Sequence, residues 1–274
     1  MTPDIDFTSP STFLITALFI FLGIFGRYVG TALVFNLLVK GAYKHKLAHR
    51  EVQIRPRRSR QDMVEIGWSF VTSIMFAIAG TLMIVAWQKG YTQIYLDWDT
   101  YPLAWFPVSI LIVLFLHETY YYWLHRWMHR PKVYRLVHKV HHDSITTSAW
   151  TSFSFHPIES TFQALFIPAL TFFMPLHVYA IGIVLTIMTF TSAVNHLNTE
   201  LYPRDFQRHW FGRWWIGATH HSLHHSQFRY NYGLYFTFWD KWMHTESPDF
   251  VKLFDKKTRR ESKGSGEEVG VKVH

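Results

Sequence analysis

The sequence predicts an all-α fold, an integral membrane bundle of about four transmembrane helices capped on its cytoplasmic side by a histidine-lined layer. Three observations predict it. The composition is 49% hydrophobic and 18% aromatic, with only 17% charged residues, below the roughly 25% of an average soluble chain. Apolar runs long enough to span a bilayer, about 20 residues each, alternate with polar stretches. The cationic residues are concentrated in one loop rather than spread evenly. There is no cysteine, which excludes disulfides and thiolate chemistry. No nucleic-acid-binding motif accompanies the net charge of +8, so the charge is read as topology.

The first apolar run is Phe13 to Leu38, interrupted by Gly23, Gly26 and Arg27. Its length, and the absence of a small-residue cleavage site after it, read as a retained helix rather than a signal peptide. Arg27 is expected to face the bundle interior or a lipid headgroup, because intramembrane charges rarely face lipid tails. Val64 to Trp87 is the second run and Leu103 to about Trp123 the third. Ile158 to Val194 is long enough for two segments, and Pro168 and Pro175 point to a hairpin turning near Met174 to His177. Between the first two runs stand Lys40, Lys44, Lys46, Arg50, Arg55, Arg57, Arg58 and Arg60 against the single acid Glu51. Such loops stay in the cytoplasm. The loop after the second run, with Asp97 and Asp99, is then on the far side, and the third run returns to the cytoplasm. Residues 1–251 are expected to form one membrane-embedded domain, followed by a polar, disordered tail over 252–274, whose basic residues Lys256, Lys257, Arg259 and Arg260 could touch anionic lipid.

Three histidine clusters punctuate this layout: His125 and His129; His138, His141 and His142; His221, His224 and His225. Residues three and four apart share a helix face, so the members of each cluster are expected to point the same way. Neutral imidazole is the commonest protein ligand for transition metals. Eight imidazoles exceed what one zinc takes and suit two metals, each with an open position. The topology delivers all three clusters to the cytoplasmic face.

Glu118 precedes His125 by about two helical turns. It is expected to accept the second ring N–H of a ligand histidine and so fix its tautomer. His117-Glu118 opens like a zinc-protease HExxH, but the fifth residue is Tyr121, so that motif fails. His117 lies about 80° around the helix from His125 and is either near the site or structural. His156 and His196 flank the hairpin at the level of the clusters and are candidate further ligands. His220 offers a competing register with His224 and His225, and His221 is preferred because it repeats the spacing of the second cluster. His45, His49, His177, His209, His244 and His274 lack partners at ligand spacing.

Taken together, the segments HETYYYWLHRWMH, HKVHH, FHPIE and HHSLHHSQFRYNYGLYFTFWDKWMHT resemble the fatty acid hydroxylase/sterol desaturase superfamily. Tyr230 to Gly233, followed by Trp239-Asp240, are similar to its C-5 sterol desaturase branch. The resemblance covers about residues 100–245. It implies a non-haem di-iron membrane oxygenase that uses O2 and two electrons to hydroxylate or desaturate an unactivated C–H bond of a sterol-like or other lipid. It implies iron ligation by the eight cluster histidines, with zinc substituting in some preparations, and a weaker assignment for His196. It also implies an external electron donor of cytochrome b5 or ferredoxin type, and residence in the endoplasmic reticulum or the bacterial cytoplasmic membrane. No catalytic residue beyond the ligands is specified. A membrane metal-binding or metal-transport protein using the same histidines is the alternative. It is disfavoured because transport calls for polar groups at mid-membrane, where these runs are almost purely apolar.

Overall fold

A computed structural model describes residues 5–259, and they are mostly helical. Helix α1 (Pro10–Asn36) starts at Ser9, whose side chain accepts the Thr12 N–H, with Pro10 in the first turn. This is the usual way of satisfying orphan donors at a helix start. It runs into a π-helical turn, Leu37–Ala42, and the short α2 (Lys44–Leu47). Helix α3 (Gln61–Gln88) follows the basic loop, and strand β1 (Ile94–Tyr95) leads to α4 (Trp105–Met128). After α5 (Pro131–Val133) and a π turn come α6 (Lys139–His142) and then α7 (Pro157–Thr171). Strand β2 (Leu176–His177) and α8 (Val178–Asn195) complete the expected hairpin. Helices α9 (Ala218–Gln227), α10 (Phe238–Trp242) and α11 (Phe250–Thr258) close the described chain.

Among the described residues, three helical stretches are long and apolar enough to cross a membrane: Pro10–Ala42, Gln61–Gln88 and Val178–Asn195. Helix α4 is diluted by His117, Glu118 and three tyrosines, and the fifteen-residue α7 is short for a full crossing. The hairpin turns at Pro175, whereas Pro168 is carried inside α7. Its turn also carries the two-residue β2, paired in parallel with β1, a departure from a purely α fold. His177 sits in that turn, capping α8 through the Tyr179 N–H and stacked on Trp98 at 4.0 Å. The polar stretch expected to be tail from residue 252 is helical through Thr258. Phe250 and Phe254 bury against Leu223, and an amphipathic face of this kind is what holds a short helix down. Residues 260–274, including Arg260, lie outside the described region.

The basic loop packs onto the histidine-bearing layer. Arg50 donates to the carbonyls of Glu200 and Tyr202, and Gln53 exchanges bonds with Asn198. Arg57 donates to the Thr146 carbonyl and pairs with Asp62 and with buried Glu65. Glu65 also accepts from Ser144 and Thr151 at 2.7 and 2.9 Å. The cationic loop and the histidine clusters therefore share one end of the bundle.

Candidate metal centre

The nine histidines that converge here form two groups. His125, His129, His138, His142 and His224 make one, and His141, His196, His221 and His225 the other. All are buried except His129, which is partly so. In each group the ring nitrogens lie within 4.8 Å of one another. The HxxHH clusters do not each present a single face. His138 and His142, four apart, join the first group while His141 joins the second. Likewise His221 and His225 join the second group while His224 joins the first. Adjacent helical residues diverge by about 100°, so each cluster straddles both groups and pins them side by side.

Backbone carbonyls and one carboxylate fix the tautomers. His125 Nδ1 donates to the Tyr232 carbonyl at 2.8 Å, His224 Nδ1 to Tyr230 at 2.7 Å, and His196 Nδ1 to Ser192 at 2.7 Å. His141 Nδ1 donates to the Ser154 carbonyl at 3.3 Å, and His138 Nδ1 to the buried Glu159 carboxylate at 2.9 Å. With the proton on Nδ1, each Nε2 presents a lone pair. Yet His125 Nε2 stands 3.0 Å from His138 Nε2, and His141 Nε2 stands 3.2 Å from His196 Nε2. Two lone pairs at that separation repel unless a cation lies between them. Metal–nitrogen bonds of about 2.0–2.1 Å place neighbouring ligand nitrogens about 3.0–3.4 Å apart. The donor set and its spacing fit one transition metal in each group.

Protonation does not resolve the conflict. Burial, and then repulsion between neighbouring rings, hold His138, His141, His142, His221, His224 and His225 well below the ordinary histidine range. Neutral rings are what a metal requires. In the metal-free protein these rings bind fewer protons folded than unfolded, so stability falls as pH drops below about 6.5, the ordinary histidine value. Chelator-stripped protein should therefore melt markedly lower at pH 5.5 than at pH 7.5, and calorimetry or static light scattering across that range checks it.

The remaining candidates separate clearly. His196, the weaker assignment, stands inside the second group, 2.9 Å from His221. His156 caps α7 through the Ile158 N–H and joins neither group. His117 Nδ1 meets the Tyr235 hydroxyl at 2.9 Å. His220 packs edge-on against Phe250, outside both groups. Glu118 makes no hydrogen bond to a histidine among the described residues. Its carboxylate accepts the backbone N–H of Leu234 and Tyr235 at 3.0 and 2.7 Å, because the irregular segment 230–236 packs against that face of α4. Asp240 does the same for Tyr232 and Gly233, each at 2.9 Å. These two acids fix the segment whose carbonyls orient His125 and His224. Gly233 is obligatory in this packing, since a Cβ there would lie 2.7 Å from the Phe236 carbonyl and 2.9 Å from Glu118.

Glu159 takes the role expected of Glu118. No periodicity links it to His138, 21 residues away, and its presence in FHPIE was the only local signal. Glu159→Gln should lower metal affinity in the first group by roughly 10-fold, and Glu159→Ala by up to about 100-fold, with the second group retained. Chelator competition with elemental analysis measures both.

An apolar cavity of about 270 Å³ lies beside the histidine groups. Ile20, Ile24, Gly80, Met83 and Ile84, from the two long helices α1 and α3, line one part. Tyr121 and Phe155 line another. The Tyr121 ring is 5.2 Å from that of His125, and the Phe155 ring 5.0 Å from that of His141. The cavity thus comes within one aromatic ring of both groups.

Paired imidazole groups beneath an apolar cavity, in a chain with membrane-length helices, define the polyhistidine centre of a membrane protein. A family model for fatty acid hydroxylase matches residues 110–245. A Delta(7)-sterol 5(6)-desaturase of Aspergillus fumigatus, erg3B, is 30% identical over 89% of this chain and 69% of its own length. A lathosterol oxidase of Mus musculus is 30% identical over 73% of this chain and 64% of its own. A Delta(7)-sterol 5(6)-desaturase of Candida glabrata is 29% identical over 67% and 50%. The chain belongs to the fatty acid hydroxylase family, on its sterol desaturase branch. It spans between half and two thirds of the length of most of these relatives. No solved structure matches it.

Proposed function

We propose that this protein is a di-iron, O2-dependent membrane oxidoreductase that hydroxylates or desaturates a C–H bond of a sterol-like lipid. The observation that carries the reading is the pair of lone-pair-facing imidazole groups set one aromatic ring away from an apolar cavity. The relatives named for action on Delta(7)-sterols and lathosterol support a sterol-like substrate. Transport of metal ions is disfavoured by the same cavity, whose lining is largely aliphatic and aromatic.

A lipid C–H bond has neither acidity nor a polar handle, so no side-chain acid or base can attack it. Bound iron supplies the redox chemistry: O2, two electrons and two protons convert R–H to R–OH and water, or CH–CH to an alkene and two waters. The chain's own residues do the rest. Aliphatic and aromatic side chains around the cavity take the lipid from the bilayer and keep water out. Tyr121 and Phe155 set how closely the lipid approaches each imidazole group. Glu159 and the carbonyls of Ser154, Ser192, Tyr230 and Tyr232 hold the rings with Nε2 facing inward. Glu118 and Asp240 hold two of those carbonyls in place. The electrons arrive from an external donor of cytochrome b5 or ferredoxin type at the cytoplasmic face.

Purified protein reconstituted with iron, a reductase-fed donor and lathosterol should consume O2 and yield an oxidised sterol by mass spectrometry. Absence of conversion with sterols, combined with conversion of fatty acyl lipids, would move the substrate and keep the reaction class. Accessibility labelling should place Arg58 on the cytoplasmic side and Asp97 on the other. Both on one side would overturn the assigned crossing of α3.

A further inference from the structure

Arg27 is the one permanently charged residue in the wall of the apolar cavity. It lies 17 residues into α1 and 13 before Lys40, about 20 Å of helix from that cationic end at 1.5 Å per residue. That distance is beyond the reach of a snorkelling side chain. Its Nε is buried with no hydrogen-bond partner among the described residues, and no ion pair involves it there. A charge at such depth is expensive and ordinarily finds a partner. Of the other polar groups of the wall, His117 meets the Tyr235 hydroxyl and the Tyr121 hydroxyl alone has no hydrogen-bond partner among the described residues. Ser152, Thr189 and Ser192 donate to backbone carbonyls, and Gln163 donates to Glu159. Arg27 therefore lines the cavity with a guanidinium whose charge and donors are unmatched among the described residues.

We propose that Arg27 recognises the oxygen-bearing polar end of the lipid substrate, a hydroxyl or carboxylate, and so sets which carbon lies beneath Tyr121 and Phe155. The guanidinium offers five N–H donors and no acceptor, so it selects oxygen acceptors over hydrocarbon. The inference rests on the reading of this cavity as the lipid site. It assigns Arg27 a part in specificity, with no part in metal binding.

The test is equilibrium binding to metal-loaded protein in nanodiscs. The probes are lathosterol, its 3-deoxy analogue, palmitate and hexadecane. Hydrogen bonds to a charged group predict that wild type prefers at least one oxygen-bearing probe over its oxygen-free counterpart by roughly 10- to 100-fold. Arg27→Met should erase that preference while metal content stays unchanged. If Arg27→Met fails to fold, Arg27→Gln decides: the preference should shrink at least several-fold. A preference retained in full by either variant, or absent from wild type, overturns the proposal. Wild type that ignores lathosterol yet binds palmitate in an Arg27-dependent manner supports Arg27 and removes the sterol reading.

Discussion

Replacing His196 with alanine should lower bound metal from two ions per chain to one and abolish lipid oxidation. His196 is one of only four imidazoles in its group, and its Nε2 faces both His141 at 3.2 Å and His221 at 2.9 Å. Its removal leaves three ligands, and it opens a gap at the centre of the group. The group built around His125 has five imidazoles and should keep its ion. His156→Ala is the matched control, because His156 flanks the same hairpin and stands outside both groups. It should keep both ions and lose only a helix cap, about 1 kcal/mol of stability. Elemental analysis and turnover of the same preparations decide the matter. A His196→Ala protein with two ions and full activity would show that the second group is not a metal site.

Glu118→Ala should destabilise the protein and empty the first group before the second. The buried carboxylate satisfies the N–H groups of Leu234 and Tyr235. Each donor left without a partner costs about 1–3 kcal/mol. The loosened segment contains Tyr230 and Tyr232, whose carbonyls hold His224 and His125, both members of the first group. Thermal unfolding and metal stoichiometry should therefore fall together. Glu118→Gln keeps one acceptor oxygen and should lie between wild type and Glu118→Ala. A direct bond from Glu118 to a ligand histidine would give a different signature, with metal affinity lost at unchanged stability. That result would reject the role in holding the segment.

The apolar runs were legible because membrane crossing imposes a length and a composition that a sequence displays directly. The hairpin was legible because proline limits where a helix continues, and the turn falls at Phe172 to His177, around Pro175. The three histidine clusters stood out because close spacing on a helix is local information. Helix α4 was harder to read, since its polar residues face protein rather than lipid and lower the hydropathy that marks a crossing.

The division of labour among the histidines was not legible. Spacing shows that His138, His141 and His142 are close neighbours along the chain. It does not show that His141 turns away toward His196, 55 residues on. Glu118 shares a face with His125, so helical geometry offered it as the histidine's partner. The tertiary structure instead lays residues 230–236 between them and gives the task to Glu159 and Tyr232. The sequence by itself determined which residue types are present and which of them lie close along one helix. Only the tertiary structure decided which nitrogens meet, because each metal-sized group is closed by side chains from three separate segments, and their relative placement depends on packing among helices that no local pattern records.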